Sequence, residues 1–251
     1  MGPCRCCTNT YCWMCRFFSR RGLSGVPLAE SRSHALTRRL KVVPYGVLGL
    51  ALPPAGGAPR QAAAEPGETT AFVDPAGLHH IIDGPQGASG AAGSIYKWLG
   101  TYNDSAFPVE VRQGINQVMD AKYHVYGSRH VIHAVGPDFR QQPYHGDRGA
   151  AAAALAVTYA NILREFADSG VPELRLLPIS GGIFSGPWYK QLPSMTIQAL
   201  ADGFDALDSS LQNAVLRAAS IELCIFDQKE FAAFSACCGS DAPDANLSTT
   251  S

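Results

Sequence analysis

The sequence predicts an α/β fold, a mostly parallel sheet with helices on both faces, and two segments and their order carry that prediction. In the first, Leu174, Leu176, Leu177 and Ile179 form the near-continuous apolar run of a strand covered on both faces, emptying into Ser180-Gly181-Gly182. The second is Val131-Ile132-His133-Ala134-Val135, closed by Gly136-Pro137 and followed by an alanine-rich helix from about Arg148 to Ser169 that leads back to the Leu174 strand. A glycine turn at the end of such a strand is the ligand-binding edge of an open α/β sheet.

The elements follow in order. Residues 1–38 read as a basic, cysteine-rich extension, and Leu40-Lys41-Val42-Val43 as a first strand cut by Pro44. Residues 53–70 are rich in Pro, Gly and Ala without an apolar period, which predicts an insertion or flexible loop. Ala71-Phe72-Val73 is a short buried strand, and Gly90 to Leu99 a helix entered through glycines. Lys122 to Val125 and Arg129 to Ala134 flank a Tyr126-Gly127-Ser128 turn, the pattern of a hairpin. Met195, Ile197, Leu200, Phe204 and Leu207 give one apolar face to a helix over about Ser194 to Leu207. A last strand, Ile221 to Phe226, precedes a short helix from about Gln228 to Ala236. Residues 237–251 read as a flexible tail, leaving 39–236 as the domain.

Composition narrows the function classes. A hydrophobic share of 46% suits a soluble globular protein, and a net charge of −1 supplies no global field for nucleic acid or an anionic membrane. No run approaches the roughly 18 apolar residues of a membrane span. Cys4, Cys7, Cys12 and Cys15 imitate a four-thiolate zinc site, but the gap between the two pairs is short for one, and unstructured reduced thiols explain them as well. The arginines and serines of the same arm resemble a mitochondrial transit peptide, and a disordered basic extension accounts for them equally. The expectation is a reduced, intracellular, cytoplasmic monomer that needs no cofactor.

Gly90-Ala91-Ala92-Gly93-Ser94-Ile95, the Val131 to Pro137 strand and Ser180-Gly181-Gly182-Ile183-Phe184 together resemble the macro domain family, whose members bind ADP-ribose. Gly146-Asp147-Arg148 and Ile225 to Phe231 make the resemblance closest to the viral branch. It implies a six-stranded, three-layer α/β/α sandwich. It also implies that Gly90 to Ile95 form a first phosphate loop and helix start, where peptide dipoles favour a diphosphate, and that Ser180 to Phe184 form a second. Phe184 then lies beside the distal ribose, and Phe226 becomes a stacking candidate for the adenine.

Other family positions have changed. Val47 stands where a carboxylate accepts the adenine amino group, Val73-Asp74-Pro75-Ala76-Gly77 replaces Val-Asn-Ala-Ala-Asn, and Ala92 replaces the aspartate of hydrolytic members. Val47 and Asp74 remain in the implied ligand set. A methyl group neither orients nor deprotonates a water. The lengthened stretch before Gly90 adds His79, His80 and Asp83, candidates for a relocated acid/base function or else ordinary polar loop residues. His133, inside a strand, and His124 read as satisfied core histidines.

The expected function is therefore a binding module for ADP-ribose or ADP-ribosylated proteins. The alternative is a slow hydrolase that removes ADP-ribose from proteins or cleaves an ADP-ribose ester or phosphate. Nucleic-acid binding rests on local charge alone, and a degenerate domain kept for packing is the fourth possibility.

Overall fold

The structure, a computed structural model, describes residues 32–239. Its main sheet has six strands in the order β1-β8-β7-β4-β6-β5. These are β1 (Leu40–Val43), β4 (Thr70–Ala76), β5 (Ala121–Tyr126), β6 (Arg129–Val135), β7 (Glu173–Leu176) and β8 (Ser220–Cys224). All neighbours are parallel except β5 and β6, the expected hairpin. The central strands β4 and β6 are almost wholly buried, as their apolar runs require.

Each face of the sheet has its own core. On one side α5 (Arg148–Ser169) and α6 (Leu192–Asp205) pack Leu155, Tyr159, Phe166, Met195 and Phe204 against it. On the other, α2 (Leu78–Asp83), α3 (Gly90–Leu99) and α4 (Val109–Gly114) contribute Ile81, Ile95, Tyr96 and Val111. Burying each such side chain stabilises the fold by roughly 1.5–3 kcal/mol. At the crossing of α5 and α6, a Cβ on Gly203 would lie 2.6 Å from the Ala156 carbonyl oxygen. The mid-helix glycine permits that close approach, at a helix-propensity cost of about 1 kcal/mol.

Two expectations change. Residues 32–38 belong to the folded domain, because Arg32–Arg39 form a helix, α1, whose Leu36 is 2% exposed within the α5/α6 core. Arg39 donates to the Ala218 carbonyl and Arg32 to Gln212 Oε1 at 3.0 Å, so even the polar side of α1 is tied down. The stretch 53–70 is held against the body. Within it β3 (Arg60–Gln61) pairs antiparallel with β2 (Leu50–Ala51), Arg175 donates to the Ala64 carbonyl at 2.9 Å, and Trp98 Nε1 to Glu65 at 2.9 Å. The remaining helices are α7 (Ser209–Leu216) and α8 (Gln228–Cys237), and α8 carries regular structure into the expected tail.

Candidate functional site

The cleft opens at the C-terminal ends of β4, β6 and β7, a cavity of about 410 Å³. Ala76, Val135, Gly136 and Ile179 form its floor, and Gly77 and His79 stand on one side. Asp138, Gln141, Gln142 and Tyr144, from the segment between β6 and α5, stand with Ser180 and Phe184 on the other.

The two outer segments are stitched together. Ser180 Oγ donates to the Pro137 carbonyl at 2.6 Å, and the Phe139 amide donates to the Phe184 carbonyl at 3.0 Å. Ser180 has φ +59, a left-handed conformation that non-glycine residues rarely adopt. The buried Tyr159 hydroxyl, on α5, receives the Ile179 amide at 3.0 Å and donates to the Leu177 carbonyl at 3.0 Å, fixing the chain just before that turn. Burial pushes the Tyr159 pKa up, so the hydroxyl keeps its proton. Gly182 has φ +57 with open space where a side chain would project. Its freedom is conformational, and the residue is exposed.

Asp138 is a closed electrostatic unit. Arg140 donates to it through Nε at 2.8 Å, Nη2 at 2.7 Å and its amide at 3.0 Å, and Gln141 Nε2 does so at 3.1 Å. The hydrogen bonds from Arg140 hold the carboxyl below its ordinary pKa. The same guanidinium lies 4.9 Å from the centroid of the Phe184 ring, a cation–π contact that places Phe184.

The expected site residues divide. Ser180, Phe184 and His79 line the cleft, with Gly181, Gly182 and Ile183 on the same turn and Ile183 70% exposed. The residues around the cavity do not include Gly90 to Ile95. On α3, Gly90, Ala91 and Ser94 are exposed whereas Ala92, Gly93 and Ile95 are buried; a Cβ on Gly93 would meet the Ala88 carbonyl at 2.3 Å. His80 and Asp83 sit on α2 outside the cavity lining, so the structure does not bring the three loop candidates into one site.

Asp74 is corrected outright. It is 0% exposed, accepting from the Tyr96 hydroxyl at 2.8 Å and pairing with His133 Nδ1 at 2.7 Å, while Tyr126 OH meets His133 Nε2 at 3.0 Å. β4 runs through Pro75 to Ala76, so position 74 lies within the sheet and not at its end. His133 is the satisfied core histidine expected of it. His124 is half-buried, its ring 4.7 Å from that of Tyr126. Val47 is also core, 5% exposed. Phe226 lies just beyond β8, is 43% exposed, and packs against Gly46.

Among the described residues no group of His, Cys, Asp and Glu could hold a metal, and Cys4, Cys7, Cys12 and Cys15 lie outside them. No helix among the described residues is long and apolar enough to cross a membrane. Sequence reasoning missed Tyr159, Asp138, Gln141, Gln142 and Tyr144. The Gly136-Pro137 strand end pointed to the segment, but no periodicity marks which of its residues face inward.

The class that fold and cleft define is a macro domain-like α/β/α sandwich, and the family model described as Macro domain matches residues 108–195. A Trypanosoma brucei macrodomain in complex with ADP superposes with a TM-score of 0.50 at 16% identity, over 82% of this chain and 71% of that one. The same macrodomain in complex with ADP-ribose gives 0.49, again at 16% identity and over 82% and 71% of the two chains. An alphavirus P23pro-zbd chain gives 0.49 at 20% identity over 70% of this chain; the match spans only 24% of its own length. No curated protein matches the chain in sequence.

Proposed function

We propose that this chain is a binding module for ADP-ribose or for proteins that carry it. The observation that carries the reading is the stitched Ser180–Phe184 turn. Ser180 and Phe184 border one cavity at the strand ends, the place where α/β sheets take nucleotides, and Gly181 and Gly182 stand on the turn between them. The Macro domain match over residues 108–195 and the likeness in fold to a macrodomain that holds ADP support the same ligand class.

A hydrolase finds less support. Ala92 is a buried methyl on α3 and Gly77 has no side chain, so neither position orients a water. We further infer an intracellular, cytoplasmic monomer; the free thiols Cys224, Cys237 and Cys238 fit a reducing compartment. Capture of a mono-ADP-ribosylated protein by the immobilised full chain, with the unmodified protein as control, tests the module directly. Equal capture of both forms contradicts it.

A further inference from the structure

We propose that His79 and His80 form a pH-sensitive latch on the cleft wall: the two imidazoles hold α2 in place while at most one of them carries a proton, and a second proton parts the rings and loosens that wall. The device belongs to the cavity and does not depend on what the cavity takes.

The two rings stand side by side in the first turn of α2, with centroids 3.8 Å apart and planes tilted by 42°. His79 is exposed and borders the cavity together with Gly77 and Leu78, whereas His80 is half-buried. Such packing tolerates a neutral pair, or one charged ring. Two imidazolium ions at that distance repel each other, the more strongly because one of them is partly withdrawn from water. Little else secures the turn. The helix is six residues long, Gly77 gives it no side-chain cap, and Ile81, 0% exposed, is its one fully buried side chain, while Ile82 is 62% exposed.

The surrounding charges set the pH range. Burial, and then His79, hold the His80 pKa below its ordinary value; the Gly84 carbonyl, Asp74 and Asp83 favour the charged ring without outweighing them. Asp74 already accepts from Tyr96 and pairs with His133. On α4, which packs against α2, Glu110 acts on His124, and Arg112 Nε donates to the Phe107 carbonyl at 3.1 Å. Asp104 lies by Gly84 through its backbone carbonyl, and across the cavity Asp138 and Arg140 neutralise each other. Among the described residues neither imidazole therefore has an ion-pair partner. The hold on α2 is full above the ordinary histidine value of about 6.5 and is lost as pH drops below it.

The test uses the full chain without ligand, so its failure leaves the module reading untouched. Histidine ring signals are titrated by NMR between pH 7.5 and 5.0 in wild type, His79→Gln and His80→Gln. Alongside, hydrogen exchange is measured at the Ile81 and Gly84 amides, which donate to the Gly77 and His80 carbonyls, with correction for the intrinsic pH dependence of exchange. In wild type the pair should titrate in two steps about one pH unit or more apart, and protection of the two amides should fall about tenfold at pH 5.0 relative to amides of α5. In each variant the remaining ring should titrate in one step and the α2 amides should keep their protection. Coincident titration of both rings in wild type, undiminished α2 protection at pH 5.0, an equal loss in the variants, or a loss shared by α5 overturns the latch.

Discussion

Tyr159, at the middle of α5, receives the backbone amide of Ile179 at 3.0 Å, so a helix on one face of the sheet holds the last residue before the Ser180 turn. Both groups are buried, so the amide and the hydroxyl meet away from solvent.

Tyr159→Phe should therefore cost about 1–3 kcal/mol of stability, since it leaves the Ile179 amide buried without a partner. Urea unfolding measures that loss. ADP-ribose affinity should fall in the same variant, as the turn loses its anchor, and intact affinity would show that Ser180's bond to Pro137 suffices.

Asp74 and His133 form the other buried polar unit, and here the expected outcome is structural. Asp74→Ala should lose about 3–5 kcal/mol by stranding its partners in the core, and Tyr126→Phe about 1 kcal/mol. Thermal melts check both. A stable Asp74→Ala protein with weakened ADP-ribose binding would return Asp74 to the ligand site.

Leu36→Ala tests the placement of α1. Truncation of a core leucine costs about 2–5 kcal/mol, to be read from the denaturation midpoint. A change within about 0.5 kcal/mol would mean that residues 32–38 do not pack on the domain.

How far the sequence carries is visible in which elements it located. The helices over 148–169 and 90–99 were legible to the residue, because the first pairs an alanine-rich body with the Asp147 cap and the second ends on Gly100 at φ +82. The sheet's hairpin followed from Gly127-Ser128. By contrast α1 reads Arg-Ser-His-Ala-Leu-Thr-Arg-Arg, with a single large apolar residue, so its burial comes entirely from tertiary contacts. The apolar run marks only Ala71-Phe72-Val73 as strand, yet β4 pairs with β6 through Ala76, and that continuation buries Asp74. Within the cleft the Ser180–Phe184 turn and His79 were legible. The Asp138–Tyr144 wall was not, since it is fixed by contacts with residues about forty positions away, such as Tyr144 with Trp188.

Acid should weaken the α2 region in a defined direction. Desolvation, and secondarily the neighbouring His79, lower the His80 pKa in the folded state. The unfolded chain then binds more protons around and below its ordinary value of about 6.5, so the stability is full above that pH and falls as pH drops. Urea midpoints at pH 7.5 and 5.0 should differ less in His80→Gln than in wild type; an equal difference would remove His80 as a cause.

The central claim, that the cleft behind the Ser180–Phe184 turn takes ADP-ribose, is tested most directly by titrating the full chain with ADP-ribose in wild type and Gly182→Val. At φ +57 a β-branched residue is forced out of the turn's conformation, or strains it by roughly 1–2 kcal/mol. The account predicts stoichiometric binding to wild type and at least a tenfold loss in a folded Gly182→Val protein. Heats of dilution alone in wild type, or equal affinity in the variant, would contradict it.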